Sequence, residues 1–194
     1  MIKSFQARYS RSAVHQSTAS GRRAHRGGAM IEFALVLPIL LTVLFGIVDL
    51  SRAIQFDNVL VHITREGANL ASRTTVPPNN IIAVLSRTAQ PLDINQDGMI
   101  YITRVEGLAN GRARVEEQYR ATQGQNSLQS QLYNCPAWQG DGSCQLPGVK
   151  PTIQLAAPLA EGEQVSIVEA RYDYQLFTQY LFNAGPDLYA VTAL

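Results

Sequence analysis

From Ala29 to Val48 the chain runs through twenty residues that carry no basic side chain and a single acid, Glu32. An α-helix of that length rises ~30 Å at 1.5 Å per residue, the thickness of a bilayer's hydrocarbon core. A carboxylate inside such a run costs ~2.5–3.5 kcal/mol near the bilayer centre, so Glu32 is expected to have a task there. This stretch constrains the fold more than any other: a helix here is a membrane span, and Asp49 closes it.

The flanks set its orientation. Residues 1–27 hold Lys3, Arg8, Arg11, Arg22, Arg23 and Arg26 and no acidic residue. A basic flank of this kind stays cytoplasmic, which directs the chain after Val48 outward. The leader is rich in Ser, Arg and Gly, lacks hydrophobic periodicity and is expected to be disordered. An ordinary secretory signal is cut at small residues after its apolar run. Here Gly46 is the only small residue near that end, and Gly27-Gly28 precede the run instead.

A small residue before the span, followed by Glu-Phe at 32–33, resembles the class III signal of type IV pilins. That resemblance implies a cut between Gly27 and Gly28 by a prepilin peptidase, with Glu32 fifth in the mature chain and followed by Phe33. The longer string Arg-Gly-Gly-Ala-Met-Ile-Glu-Phe-Ala-Leu-Val-Leu-Pro-Ile-Leu-Leu, with Phe-Gly-Ile-Val-Asp-Leu-Ser-Arg-Ala after it, resembles the TadE family over residues 26–73. These are minor pseudopilins of the tight-adherence (Flp, type IVb) pilus. The resemblance implies other pilins or pseudopilins and an inner-membrane assembly platform as partners. It says little about residues 75–194.

Glu32 has two readings. A carboxylate in a helix's first turn gains ~0.3–1 kcal/mol from the macrodipole, which alone would account for it. The pilin resemblance adds pairing with the α-amino group freed at Gly28, which would offset the desolvation of both charges. Pro38 removes one helix hydrogen bond, which membrane helices tolerate.

The helix is expected to continue to Arg73, since no proline lies between Asp49 and that point and Gly67 is only mildly unfavourable. Ser51, Gln55, Asn58, His62, Glu66 and Asn69 form one polar stripe. Phe56, Leu60, Ile63 and Leu70 line a second face; Leu50, Ile54, Val61 and Ala68 line a third. From Gly28 to Arg73 such a helix measures ~70 Å.

Little in the remainder suggests catalysis. His62 stands without a second His or Cys nearby, and His15 and His25 lie in the leader. Residues 74–194 contain no histidine, hence no Ser-His-Asp or Cys-His constellation and no His-Glu-x-x-His motif. The pairs Glu116-Glu117 and Asp93/Asp97 have no sequence context that places them in a cleft, and a non-enzyme is expected. The chain has 16 basic and 15 acidic residues; without residues 1–27 it keeps 10 basic against 15 acidic, formally −5, a balance that gives no case for nucleic-acid binding.

Val76-Pro-Pro-Asn-Asn80 breaks the long helix, and Asn80 is expected to cap a short one ending near Ala89. Alternating runs at 99–106 and 112–120 around Asn110-Gly111 read as a hairpin, 163–175 as a third strand, and 189–194 as a short last one. The expected fold is α+β and pilin-like: a long N-terminal transmembrane and stalk helix against a small antiparallel sheet. Its parts are a basic leader at 1–27 that is removed, a span and stalk at 28–73, and an extracytoplasmic domain at 74–194.

Two local features complete the reading. Asp93-Ile-Asn-Gln-Asp-Gly98 matches the first half of an EF-hand loop, with Asp93, Asn95 and Asp97 as oxygen donors. Position twelve of that loop is Arg104, which repels calcium, so an Asx-rich turn with Gly98 at positive φ is favoured over a metal site. Ala121–Pro151 turns to Gln, Asn, Ser, Gly and Pro and holds the only cysteines, Cys135 and Cys144, expected to form a disulfide outside the cytoplasm. Trp138 between them is either a partner-contact anchor or a local core over that bridge.

The reading as a whole is a minor pseudopilin that acts in assembly or initiation of the pilus and in surface adherence. It would reside in the bacterial inner membrane with its C-terminal domain periplasmic, or on the pilus after assembly, and carry no cofactor. The alternative is a permanently anchored periplasmic binding or adhesion module, calcium-responsive through residues 93–98.

Overall fold

The computed structural model describes residues 24–177 and 185–194. The leader's Lys3, Arg8, Arg11, His15, Arg22 and Arg23 lie outside them. The chain divides into two compact units, residues 1–43 and 44–194. Helix α1, Ala24–Arg73, belongs to the first up to Val43 and to the second from Leu44.

In the first unit the described part of the helix starts at Ala24, four residues ahead of Gly28; the expected disorder of residues 1–23 lies outside the described residues. Once the apolar run has nucleated a helix, each further residue adds one hydrogen bond, and two glycines at ~1 kcal/mol each are not enough to stop it. Pro38 is accommodated inside the helix, and Thr42 Oγ1 donates to its carbonyl at 2.8 Å.

The second unit is α+β, with the long helix followed by a small antiparallel sheet. Helix α2 spans Pro78–Thr88 and α3 Ile94–Asp97; the strands are β1 Gly98–Gly107, β2 Ala113–Arg120, β3 Thr152–Ile153, β4 Gln164–Asp173 and β5 Asp187–Ala193. The sheet order is β3-β2-β1-β4-β5, antiparallel throughout. Asn110-Gly111 forms the hairpin turn: Gly111 takes φ 73° and Asn110 Oδ1 accepts from Arg112 N at 3.1 Å. Helix α2 differs from expectation at its start. Pro77 is the N-cap and Pro78 the first helical residue, where a missing N–H is harmless, so Asn80 lies inside the helix and caps nothing.

On α1 the residues of the polar stripe, Ser51 to Asn69, are all exposed. The buried stripe is Phe56, Leu60, Ile63, Thr64, Gly67, Ala68 and Ala71. Ala68 therefore joins the core face rather than the face of Leu50 and Ile54. Gly67 explains the shift: a Cβ there would lie 2.6 Å from Leu85 Cδ1 and 3.2 Å from Val168 Cγ1, so its absence lets the helix approach α2 and β4. Phe56 packs edge-on to Tyr172 and Tyr174, with centroids 5.6 and 5.3 Å away.

The segment 121–161 is more than an exposed loop. It covers the other face of the sheet, where Leu132, Tyr133, Leu146, Leu155 and Leu159 pack on Val105, Ala113, Val115 and Ile167. β1 is buried on both faces, Ile100 and Ile102 on one and Tyr101, Thr103 and Val105 on the other, which demands a layer on each side.

Candidate functional site

The candidate site is the N-terminal segment of α1. Gly27, Gly28, Glu32 and Phe33 all lie in the helix; Glu32 is exposed and Phe33 is 65% exposed. A helix places residues four apart on one face, so the Glu32 carboxylate belongs to the same face as Gly28, one turn on. A Cβ at Gly28 would meet nothing within 4 Å. From Met30 to Val48 the large apolar side chains are exposed, Met30 at 77% and Leu35 at 69% among them. Among the described residues this is the one helix long and apolar enough to cross a membrane. An apolar surface of this extent excludes water only by meeting lipid or other apolar helices.

The apolar run ends in a built junction. Asp49, 3% exposed, accepts a hydrogen bond from Phe177 N at 2.9 Å through its carboxylate, and its carbonyl accepts from Tyr174 Oη at 3.3 Å. Nothing in the sequence pointed to residues 174–177 as its partners, because the contact joins positions more than 120 residues apart.

Residues 93–98 do not form an open coordination loop. Ile94–Asp97 is a single helical turn capped by Asp93, whose side chain accepts from Asn95 N at 3.1 Å. Gly98 has φ −125°, so it is not the positive-φ residue of an Asx turn. Close packing requires glycine there, because a Cβ would lie 2.9 Å from Ile94 Cα. Asp97 is pushed above its ordinary value, first by burial and then by the carboxylates of Asp173 and Asp93. Arg104 pairs with Glu117 at 3.3 Å and Glu106 with Arg114 at 3.1 Å, so both side chains are engaged along the hairpin. Among the described residues no three His, Cys, Asp or Glu side chains gather as a metal site. Calorimetry on the full chain in detergent is expected to show no calcium binding tighter than ~1 mM, the weak end of extracellular modules. Micromolar binding would contradict this.

Cys135 and Cys144 stand at disulfide distance, with Cα atoms 5.9 Å apart. Their loop is tied to the β2 edge by Cys144 N to the Gln118 carbonyl at 2.8 Å and Arg120 N to the Gly142 carbonyl at 2.9 Å. Trp138 is half-buried, with Tyr101 at 5.9 Å and the Arg120 guanidinium 4.7 Å over its ring. Closing a short loop contributes ~2–4 kcal/mol. Cys135→Ser is expected to raise protease cleavage within 121–151 and leave the helical circular dichroism of α1 unchanged; unaltered proteolysis would contradict it.

Sequence reasoning also missed the buried Glu169. Its carboxylate accepts from Ser130 Oγ, from Gln131 N at 3.0 Å and from Tyr189 Oη at 3.0 Å. Burial and this carboxylate hold the Tyr189 phenol well above its ordinary value, so it remains a donor. Gln118 extends the network through Nε2 to the Tyr133 carbonyl at 2.9 Å. These contacts fasten the 121–161 layer to the sheet.

Residues 27–69 match the family model described as TadE-like protein. The chain is TadE-like over this segment. The match associates it with the tight-adherence pilus system and with other pilus proteins as partners. The TadE-like segment begins at Gly27 and ends at Asn69, so it covers the apolar helix, Asp49 and most of the stripe that packs on the sheet. No curated protein and no solved structure matches the chain.

Proposed function

We propose that this chain is a minor pseudopilin of the tight-adherence pilus, cut between Gly27 and Gly28 by a prepilin peptidase and assembled through α1. The observation that carries the reading is the exposed apolar helix of the TadE-like segment, with Glu32 one turn from Gly28. Peptidase cleavage requires an extended backbone, and two adjacent glycines make this helical turn inexpensive to unwind. The basic flank keeps the leader cytoplasmic and residues 74–194 periplasmic. The partners are the peptidase, neighbouring pilins or pseudopilins along α1, the inner-membrane assembly platform and lipid. The role is structural, in pilus initiation, assembly and surface adherence, with no catalytic step and no cofactor.

The charge pair separates cutting from assembly. After the cut, the amine at Gly28 and the Glu32 carboxylate neutralise each other in an apolar setting, within one chain or between neighbours. Glu32→Ala is expected to leave the cut intact and to lower incorporation into sheared pilus fractions at least ~10-fold, the factor that a loss of ~1.4 kcal/mol produces. Normal incorporation of the variant would contradict the pairing.

A further inference from the structure

The junction at Asp49 leaves an aromatic ring exposed where the apolar run ends. Phe177 is 63% exposed, yet its main chain is fixed to the Asp49 carboxylate at the turn of α1 where the apolar run ends. The Arg52 guanidinium stacks 4.5 Å over the Phe177 ring and 5.7 Å from the Phe56 ring, which holds the cation at the same level. On the other side of these turns Leu50 and Ile54 are 63% and 55% exposed. One exposed aromatic is ordinary surface, but apolar side chains open on both sides of the helix at one level are not.

The level is informative. Arg52 stands four residues, ~6 Å, beyond Val48 at 1.5 Å per residue. The headgroup layer on each side of the hydrocarbon core is ~5–8 Å thick. An arginine at that depth meets phospholipid phosphates, whose geometry suits its planar fork, and a ring beside it meets the boundary between headgroup and acyl chain.

We propose that Phe177 and Arg52 form an interfacial lipid clamp, with the ring at the headgroup–acyl boundary and the guanidinium on a phospholipid phosphate. The clamp fixes the rotation of the extracytoplasmic unit against the bilayer before the chain leaves the membrane. It rests on the reading of Ala29–Val48 as a span.

The test uses the full chain with Trp138→Phe in vesicles of phosphatidylethanolamine and phosphatidylglycerol, carrying one indole from Phe177→Trp or, separately, from Phe45→Trp. The indole at 177 is expected to emit at shorter wavelength than in detergent-free water, to resist aqueous iodide, and to be quenched most by lipids brominated near the headgroup. The indole at 45, three residues or ~4.5 Å inside Val48, is expected to respond most to bromine on the acyl chain below that boundary. Arg52→Gln should reduce the headgroup-proximal quenching at 177 and leave position 45 unaffected. Quenching at 45 with an iodide-accessible, bromine-insensitive indole at 177 overturns the clamp and leaves the span standing. Protection from iodide without bromine quenching means that protein, such as a second copy, covers the ring, and also overturns it. Bromine-insensitive indoles at both positions overturn span and clamp together.

Discussion

Phe56→Ala is expected to cost the 44–194 unit ~3–5 kcal/mol, the range for deleting a buried phenylalanine. The ring is 8% exposed and makes edge contacts with Tyr172 and Tyr174, which the truncation abolishes along with the packing. For a domain of this size each kcal/mol moves the midpoint by ~2–4 °C, so thermal unfolding of the sheet signal should shift down by roughly 6–20 °C. Phe33→Ala, the same truncation at a ring 65% exposed in the TadE-like segment, should leave that midpoint within ~2 °C, the scale of surface substitutions. Equal melting of the two variants would show that α1 does not hold the sheet through Phe56.

That contrast rests on a division of labour within one helix. Up to Val48 the apolar side chains are exposed for lipid or neighbouring helices; from Phe56 to Ala71 one stripe is buried and the opposite stripe is polar. The sequence shows both parts, because a predominantly apolar run of twenty residues and a 3.6-residue periodicity are local signals. It shows the Asn110-Gly111 hairpin for the same reason.

Features made by distant residues were illegible. The sheet order places β4 between β1 and β5, and no periodicity states which strands pair. Two-faced burial of β1 implies a second covering layer, yet the composition of 121–151 reads as loop because its apolar residues Leu132, Tyr133 and Leu146, like Leu155 and Leu159 beyond it, are scattered. The Glu169 network and the Asp49 junction join segments by side-chain hydrogen bonds across long separations. Gly67 and Gly98 appear in sequence as a tolerated defect and a turn residue; both are glycine because neighbouring atoms leave no room for a Cβ.

In the candidate site, the sequence gives position but not state. Gly27, Gly28, Glu32 and Phe33 stand in one helical segment, exposed from Gly28 on, and their spacing around the start of the apolar run is a local property. Whether a peptidase opens that segment depends on an encounter with another protein. Gly27→Phe is expected to abolish cleavage, because a bulky side chain fills the position that the class III pattern reserves for a small one. The variant should accumulate as full-length chain in the membrane and be lost from pili. Its 44–194 unit should melt as the parent does, since Gly27 lies outside it.

Intact and N-terminal mass spectrometry of membrane-extracted protein, from cells that assemble pili, addresses the central claim most directly. The mature chain is expected to begin at Gly28 and to be about 3 kDa lighter than the precursor, the share of 27 residues in a 194-residue chain of 21.3 kDa. A chain that still begins at Met1 in such cells would contradict the account.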